Sequence, residues 1–519
     1  MPIDVNSAQL MKALEDGKSV IITTLQKFRV ISQTISSLKG QKFAVIIDEA
    51  HTSQSGESAK HLKETLSVNL EDAEVSDEDD WDLEDEIVRE IKTRGRQKHI
   101  SYFAFTATPK NKTLELFGRK GQDGKPHAFH LYTMRQAIEE GFILDVLKNY
   151  TTFKRYFKLA KKVESDEEFE KSKAIRVLTS YVDLQAHAIE TKVRMMLDHF
   201  QDVTVKQIQG KGRAMIVTRS RLYAVRYFLK LRAIMKEKGL TIKPLVAFSG
   251  TVRDPDSGEE FTENGLNELA PRVSIPDAFK TPDYRILVVA NKFQTGFDEP
   301  LLHTMYVDKK LGGVNAVQTL SRLNRTTGGK NDCVVLDFVN EDEKIKDSFQ
   351  NYYQATFLEN ETDPNKLYEI QDDLERFEIY TDEDVEEFAK IFFDKKQTME
   401  KLQPILDRVR STWKYRVPEE REDFRGYLQS FVRLYGFISQ IINFEDPDLE
   451  KLYVFSQNLN RKLDKRKNTL PMEVMEAVDL DSFRIQQTFE GDISLEQQDA
   501  ELSGIGPSGG GEKGPEEID

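Results

Sequence analysis

The chain has 519 residues, of which 39% are hydrophobic and 31% are charged, and its formal net charge is −15. This length predicts about three globular domains, and no apolar stretch reaches the ~18 residues that a membrane span requires. The single cysteine, Cys333, excludes an internal disulfide and a cysteine-based zinc site, and the N-terminus lacks a secretory signal pattern, so a cytoplasmic protein without membrane association is predicted.

The negative charge is concentrated in two segments. Residues 71–86 hold eleven acids and no Lys or Arg, and residues 496–519 hold seven acids and one Lys. Such runs are usually solvated loops, although an acidic loop that shields or mimics DNA is the alternative. Because the rest of the chain is close to neutral, it can carry a basic groove, and the net charge does not exclude nucleic-acid binding.

The first domain is predicted to cover residues 1–150 and to be α/β. A helix is expected from Ser7 to Asp16, ended by Gly17. Short β-branched or aromatic runs are typical of buried parallel strands, and they occur at 19–24, 43–47 and 102–105.

Residues 151–205 are predicted to be a helical extension or linker rather than sheet. The chain is densely charged around 154–176. A helical stripe of apolar residues follows, formed by Ile189, Val193, Met196 and Phe200.

A second α/β domain is predicted at 206–342. A helix is expected from Arg221 to Met235, between apolar runs that predict strands. These runs lie at 214–217, 245–248, 285–290 and 333–338. Strands that alternate with helices of this length imply a parallel sheet covered on both faces.

Strand patterns are expected to end near residue 343. An all-α domain is predicted at 343–490, because a helix start with acids in its first turn occurs at 381–384 and an amphipathic stripe follows. The stripe is formed by Phe424, Tyr427, Phe431, Leu434, Ile438 and Ile441. An acidic, Gly-rich tail at 491–519 is predicted to be disordered.

A pair of acids follows the second predicted strand. Asp48 and Glu49 stand at the end of the run 43–47, the edge where α/β sheets bind ligands. ATP hydrolysis requires one carboxylate to hold Mg²⁺ and a second to orient or deprotonate the attacking water. Asp48 is predicted to hold Mg²⁺ and Glu49 to face the γ-phosphate. An ordinary acidic turn is the alternative, which the apolar run and the neighbouring His51 disfavour.

Thr106 and Thr108 follow the run 102–105. Their hydroxyls are candidates to bond His51 or the acids and to couple the nucleotide state between domains. The Thr-Ala-Thr pattern is weak alone, and its position after the acidic pair gives it weight.

Two arginines near residue 320 are candidates for transition-state stabilisation. Gln318, Arg322 and Arg325 have the spacing i, i+4 and i+7, so they are predicted to share one helix face. Arg322 and Arg325 are predicted to stabilise the charge that develops on the γ-phosphate. Arginines on the surface of a helix are the alternative interpretation.

The segment 292–299 is predicted to lie between nucleotide and DNA. Within it, Gly296 and Asp298 are assigned to nucleotide coupling and Thr295 to DNA contact. Further polar residues at strand ends are predicted to contact DNA phosphates rather than bases, although loop capping explains them about as well. They are Thr23, Thr24, Gln26 and Lys27 in the first domain and Ser249 and Gly250 in the second.

A motor that hydrolyses ATP with the residues predicted above requires a phosphate loop, G-x-x-x-x-G-K-[ST]. The triplet 17–19 (Gly-Lys-Ser) resembles its end, but the position five residues before Gly17 is Lys12, and a strand rather than a helix is predicted to follow. We interpret the triplet as a decoy. The chain is therefore expected to begin inside its first motor domain.

With these motifs in this order, the chain resembles helicase superfamily 2, and within it the restriction (R) subunit of type I restriction-modification enzymes. The resemblance rests on the stretches at 23–28, 48–56, 105–109, 292–300 and 323–326. It implies two RecA-like parallel-sheet motor domains, the first incomplete, that pump double-stranded DNA with ATP and Mg²⁺, followed by an all-α domain. That domain would dock on the methyltransferase, and a specificity subunit would recognise the DNA sequence.

The family's nuclease domain precedes the motor, so the resemblance implies that it is absent here and that the isolated chain is inactive. The first hypothesis is the ATP-dependent DNA translocase part of an R subunit, acting in the restriction of foreign DNA. The second is a non-catalytic truncated R subunit that only docks on the methyltransferase. A hydrolase independent of nucleic acid is a third.

Overall fold

The computed structural model describes residues 1–3, 7–23, 42–48, 100–109, 113–114, 117–121, 126–159, 182–294, 296–354, 356–358, 366–393, 399–441, 446–463, 478–496 and 500–502. The chain folds as two compact units, each built from separate stretches. Unit 1 holds the described parts of Met1–Leu131, Thr356–Lys465 and Glu501–Gly511, and unit 2 holds those of Tyr132–Ala355 and Arg466–Ala500. The five-part division predicted from the sequence remains a prediction.

The strands are β1 Phe43–Ile47, β2 Ile100–Ala104, β3 Arg119–Lys120, β4 Pro126–His127, β5 Tyr150–Leu159, β6 Arg213–Thr218, β7 Lys243–Ala247, β8 Thr251–Arg253, β9 Glu260–Thr262, β10 Tyr284–Val289, β11 Leu302–Asp308, β12 Val334–Asp337, β13 Thr356–Leu358, β14 Val478–Gly491 and β15 Ala500–Leu502.

The helices are α1 Ser7–Glu15, α2 Met134–Glu139, α3 Ala186–Asp202, α4 Arg221–Glu237, α5 Glu263–Asn267, α6 Ile275–Phe279, α7 Gly313–Leu320, α8 Asp342–Tyr353, α9 Lys366–Glu375, α10 Asp382–Phe392, α11 Gln403–Lys414, α12 Pro418–Ile441 and α13 Pro447–Lys462. Short 3-10 helices lie at Thr204–Lys206 and Met399–Leu402.

In unit 1, β1 and β2 pair in parallel, as their apolar runs predict. The predicted N-terminal helix is confirmed as α1, and Gly17 ends it in the left-handed region at φ 67°, where the Lys18 N–H bonds the Ala13 carbonyl oxygen at 3.1 Å. Gly17 thus terminates a helix instead of opening one, which agrees with its interpretation as a decoy. The strand predicted at 19–24 is described only as a bridge between Ile22 and Pro2.

Unit 2 is built on a seven-stranded sheet of order β14-β5-β12-β11-β6-β10-β7. Its strands are parallel except β14, which runs antiparallel to β5. Successive residues of β6 supply two different cores: Met215 and Val217 belong to one, and Ala214 and Ile216 to the other. Both faces of the sheet are therefore covered, as expected for parallel strands.

Most predicted elements of the second domain are confirmed. The four apolar runs form β6, β7, β10 and β12, and the helix predicted from Arg221 to Met235 forms α4. The helical stripe predicted in the preceding extension lies on α3. All four residues of the predicted stripe on α3 are buried. Strand β11, which is buried at every position, was not predicted, because His303 and Thr304 interrupt its apolar run.

Two expectations of helix are wrong. Residues 150–159 form β5 inside the predicted helical linker, and residues 478–491 form β14 inside the predicted all-α domain. Both strands carry charges on an exposed face: Phe153 is buried while Lys154 is exposed, and Phe483 is buried while Arg484 is exposed. The charge density that begins at residue 154 predicts a helix or linker, whereas in a half-exposed strand such charges follow from the period of two.

The helices of residues 366–463 pack around their own apolar core, and the predicted stripe on α12 is confirmed at Phe424, Phe431 and Leu434, which are buried in it. The tail is ordered at its start, contrary to prediction. There, Ile493 is buried and its N–H bonds the Leu147 carbonyl oxygen at 3.1 Å. Residues 503–519 and the acidic segment 71–86 lie outside the described residues.

None of the helices that the structure describes has both the length and the apolar character of a membrane span.

Candidate functional site

The candidate site of unit 2 lies at the carboxyl edge of its sheet. Because β6, β7, β10, β11 and β12 are mutually parallel, the loops that follow them emerge at one edge, where α/β sheets bind ligands. Predicted site residues follow β7, β10 and α7.

In unit 1, two predicted groups lie at the ends of neighbouring strands. Asp48 follows β1 and is exposed, and Thr106 follows β2. The strands stay paired to this point, since the Phe105 N–H bonds the Ile47 carbonyl oxygen at 2.9 Å. Asp48 and Thr106 therefore lie at a common edge of this two-stranded sheet.

Among the described residues, the Thr108 hydroxyl forms no hydrogen bond with an acidic side chain. Its N–H donates to Thr106 Oγ1 at 3.1 Å, and its side chain is buried. Its own Oγ1 has no hydrogen-bond partner among the described residues. The predicted bond to His51 stays a prediction.

Six predicted site residues lie outside the described residues: Glu49, His51, Thr24, Gln26, Lys27 and Thr295. Thr23 is described and half-buried. Within the described ranges, no group of three or more His, Cys, Asp or Glu side chains could hold a metal ion. The exposed carboxylate of Asp48 is an oxygen donor of the kind that Mg²⁺ prefers, so it fits the predicted role of a single protein ligand.

The two candidate arginines do not share a helix face, which corrects the sequence prediction. Helix α7 ends at Leu320, so Arg322 and Arg325 lie in the following segment, 321–325, which we call the arginine turn. Gln318, in the last turn of α7, accepts at its carbonyl oxygen from Arg322 Nε at 3.2 Å. The side chain of Arg322 is buried, and its Nη1 donates to the Phe297 carbonyl oxygen at 3.1 Å.

Arg325 is more open. Its Nε donates to Asp298 Oδ1 at 3.1 Å, and 45% of its side chain is exposed. The contacts of Arg322 and Arg325 therefore join the arginine turn to the segment 292–299 that follows β10. The sequence predicted both segments, whereas their direct contact is visible only in the structure.

The segment after β10 is held from inside by residues that the sequence did not indicate. Lys309 Nζ donates to Asn291 Oδ1 at 2.6 Å and to Gln294 Oε1 at 3.3 Å, and Gln294 Nε2 donates to the Ala290 carbonyl oxygen. Gly296 is exposed and has φ +67°, a conformation that favours glycine. Lys309 was missed because β11, which it follows, was missed.

The predicted DNA-contact residues after β7 form an exposed turn. Arg221 Nη1 donates to the Ser249 carbonyl oxygen at 3.1 Å. Gly250 has φ +74°, and a Cβ there would lie 3.2 Å from the same Nη1 atom. The turn therefore requires glycine and presents main chain to solvent, which suits contact with a phosphate backbone.

A buried ionic network lies at the end of β11. Lys192 Nζ is 2.9 Å from both Asp183 Oδ1 and Asp308 Oδ1, and the Tyr227 hydroxyl donates to Asp308 Oδ2 at 2.6 Å. Burial alone would raise the pKa of Asp308, but Lys192 and Arg219 hold it below its usual range. This network fixes the strand end from which Lys309 emerges.

A second buried carboxylate supports the same edge from β12. The Tyr150 hydroxyl donates to Asp337 Oδ2 at 2.6 Å, and Asn340 Nδ2 donates to the same oxygen at 2.9 Å. Burial raises the pKa of Asp337 to about 6 although these bonds oppose it. Asn340 also donates to the Lys309 carbonyl oxygen at 2.8 Å, so β12 and the loop after β11 are tied together.

Comparison with known proteins gives two family matches. The model of type I restriction enzyme subunit R domain 3 matches residues 258–340, which include the segment after β10 and the arginine turn. The SWI2/SNF2 ATPase model matches residues 4–71, which include Asp48.

Relatives match over most of the chain. A type I restriction enzyme endonuclease subunit of Staphylococcus aureus (SauCOLORF180P) is 25% identical over 485 residues, covering 84% of this chain and 43% of the relative. The HindI endonuclease subunit of Haemophilus influenzae is 24% identical over 67% of this chain and 32% of its own length. The chain thus spans less than half the length of these relatives.

Among solved structures, an ATP-dependent type ISP restriction-modification enzyme, LlaBIII bound to DNA, is 13% identical with a TM-score of 0.37 and covers 92% of this chain and 35% of that one. This likeness is too distant to carry an argument.

The fold defines the class of protein: an α/β chain with a mainly parallel sheet and a helical region that has its own core. The relatives and the R-subunit match make the similarity more specific. The chain is similar to type I restriction enzyme endonuclease (R) subunits.

Proposed function

We propose that this chain is the ATP-dependent double-stranded DNA translocase part of a type I restriction endonuclease R subunit, acting in the restriction of foreign DNA. The observation that supports this most directly is the meeting of two loops at the carboxyl edge of the sheet. There, Arg325 pairs with Asp298 and Arg322 bonds the Phe297 carbonyl oxygen. A charged, partly exposed arginine at this edge is suited to stabilise a γ-phosphate in transfer.

In this proposal Asp48 holds Mg²⁺ and Glu49 orients the attacking water. Mg²⁺ bound with ATP would neutralise charge on the β- and γ-phosphate oxygens. The residues of this chain position the reaction: Asp298 holds the Arg325 guanidinium at the sheet edge, and Lys309 holds the segment that carries Asp298 through Gln294. His51, Thr106, Thr108, Gly296 and Gln318 are proposed to couple the nucleotide state to movement.

DNA is proposed to run along the exposed turn of Ser249 and Gly250 and the residues Thr23, Thr24, Gln26, Lys27 and Thr295. Such contacts would be with phosphates and would depend on salt rather than on base sequence. The DNA-bound LlaBIII structure belongs to another restriction-modification enzyme, and for this chain DNA is a proposed partner. The methyltransferase and specificity subunits are proposed as further partners in a cytoplasmic complex.

The test is DNA-stimulated ATP turnover by the whole chain assembled with its partners. Arg325→Ala is expected to lower kcat by about 10³-fold, the effect of removing an arginine finger, and Glu49→Gln is expected to abolish turnover. The matched control is Arg232→Ala, because Arg232 is also half-exposed and paired with an acid, Glu268, but lies on α4. Unchanged turnover in both site variants would overturn the proposal.

A second candidate function is a non-catalytic module that docks on the methyltransferase. The separately packed core of residues 366–463 favours it, because such a core can support a binding surface without nucleotide chemistry. Co-purification with the methyltransferase, together with no ATP turnover under any DNA condition, would select this function over the translocase.

A further inference from the structure

Lys330 lies buried behind the arginine turn, with 5% of its surface exposed. Its Nζ donates to the main-chain carbonyl oxygens of Leu323 at 2.7 Å and Arg325 at 2.8 Å. Among the residues that the structure describes, no carboxylate forms an ion pair with it. Burying an ammonium against neutral carbonyls costs desolvation free energy that an apolar residue would avoid. Packing alone therefore does not explain why a lysine is buried at this position.

The arginine turn has no helix to hold it, because α7 ends at Leu320. Instead, three successive carbonyl oxygens of the turn accept hydrogen bonds from residues outside it. Lys330 Nζ donates to those of Leu323 and Arg325, and the Leu144 N–H donates to that of Asn324 at 2.8 Å. The main chain of Arg325 is thus fixed by a hydrogen bond from Lys330 to its carbonyl oxygen.

The charge of Lys330 is opposed by its burial. Burial lowers its pKa to about 8. The charged and titratable groups that act on it are Cys333, Glu299, Arg325 and Asp332. Of these, Cys333, Glu299 and Asp332 raise the pKa and Arg325 lowers it, so burial is the main cause of the shift.

We infer that Lys330 is a positioning residue for Arg325, holding the main chain of the arginine turn so that the guanidinium stays at the sheet edge beside Asp298. The inference rests on the proposed ATP hydrolysis for its functional consequence. Its structural part can be tested without turnover.

The first experiment measures hydrogen–deuterium exchange of the full chain. Lys330→Met keeps the length of the side chain and removes the donors, and Lys330→Arg keeps charge and donors. The control is Lys344→Met, at an exposed lysine of the same unit. We expect Lys330→Met to speed exchange in residues 321–327 and 142–146 but not in β6, with most protection kept in Lys330→Arg. Equal exchange in all variants, or a rise that includes β6, would overturn the inference.

The second experiment measures ATP turnover in the assembled complex. We expect Lys330→Met to lower kcat about 10–100-fold, the effect of a small misplacement of a catalytic group, with KM for ATP unchanged within about two-fold. Lys330→Arg should recover most of kcat, and Lys344→Met should match wild type. An unchanged kcat would overturn the inference. Absence of turnover in the wild-type complex would instead overturn the proposed function, and the exchange result would still decide the role of Lys330.

Discussion

Apolar strands of similar composition are exposed to different extents in the two sheets. In the sheet of β1 and β2, Ile46 is 69% exposed, Phe103 45% and Phe105, just after β2, 58%. In the seven-stranded sheet, every residue of β6 and β11 is buried. The two sheets share parallel pairing and β-branched composition, so burial is the property that separates them. A strand pattern predicts pairing, but the layers packed on the sheet decide what each side chain contributes to stability.

The largest expected effect comes from removing the same kind of side chain in both sheets. Leu287→Ala in β10, where the side chain is fully buried, should lower the free energy of unfolding of unit 2 by about 2–5 kcal/mol. Ile46→Ala in β1 should change that of unit 1 by no more than about 0.5 kcal/mol. Urea unfolding followed separately for the two units measures both. A comparable loss in both variants would break the comparison, since it would mean that Ile46 is covered in solution.

An intermediate effect should appear on acidification, in unit 2. Burial lowers the pKa of His199 to about 4, and His303 nearby also has a lowered pKa because of its burial. A histidine held neutral in the fold contributes stability above its unfolded pKa of about 6.5, and this contribution is lost as the pH falls toward 4.

His199→Phe should therefore reduce the pH dependence between pH 6.5 and 4.5 by about 1–2 kcal/mol, a figure already discounted for the partial exposure of His199. The measurement is the urea midpoint of unit 2 as a function of pH, with wild type as reference. If the variant follows the wild-type curve, the burial of His199 does not govern this titration.

The smallest expected effect is the loss of stability on removing a helix N-cap, and this loss should be equal in the two units. Thr133 and Thr381 both form capping boxes, at the start of α2 in unit 2 and of α10 in unit 1. Thr133→Ala and Thr381→Ala should each cost about 1 kcal/mol, because each leaves helix N–H groups without an acceptor. Thr→Ser at each position is the control and should retain most of the stability. A much larger loss at one site would show that its cap also supports tertiary packing.

The sequence by itself determined the local elements and their order. Apolar runs predicted β1, β2, β6, β7, β10 and β12, and Gly17 predicted the end of α1, because strand formation and helix termination depend on neighbouring residues. It did not determine that Asp48 and Thr106 share an edge, because that depends on the parallel pairing of β1 and β2. The motifs around Asp298 and Arg325 also carried the resemblance to R subunits, which depends on residue order and not on contacts.

Tertiary structure decided the rest. Strands β5 and β14 pair across more than 300 residues, and nothing local distinguishes their charged faces from those of a helix. Helix α7 stops before Arg322 because the turn makes its bonds to Phe297, Leu144 and Lys330 instead of continuing a helical ladder. The supporting lysines could not be recognised from the sequence, because a buried lysine differs from a surface one only in its partners, and distant parts of the chain supply those.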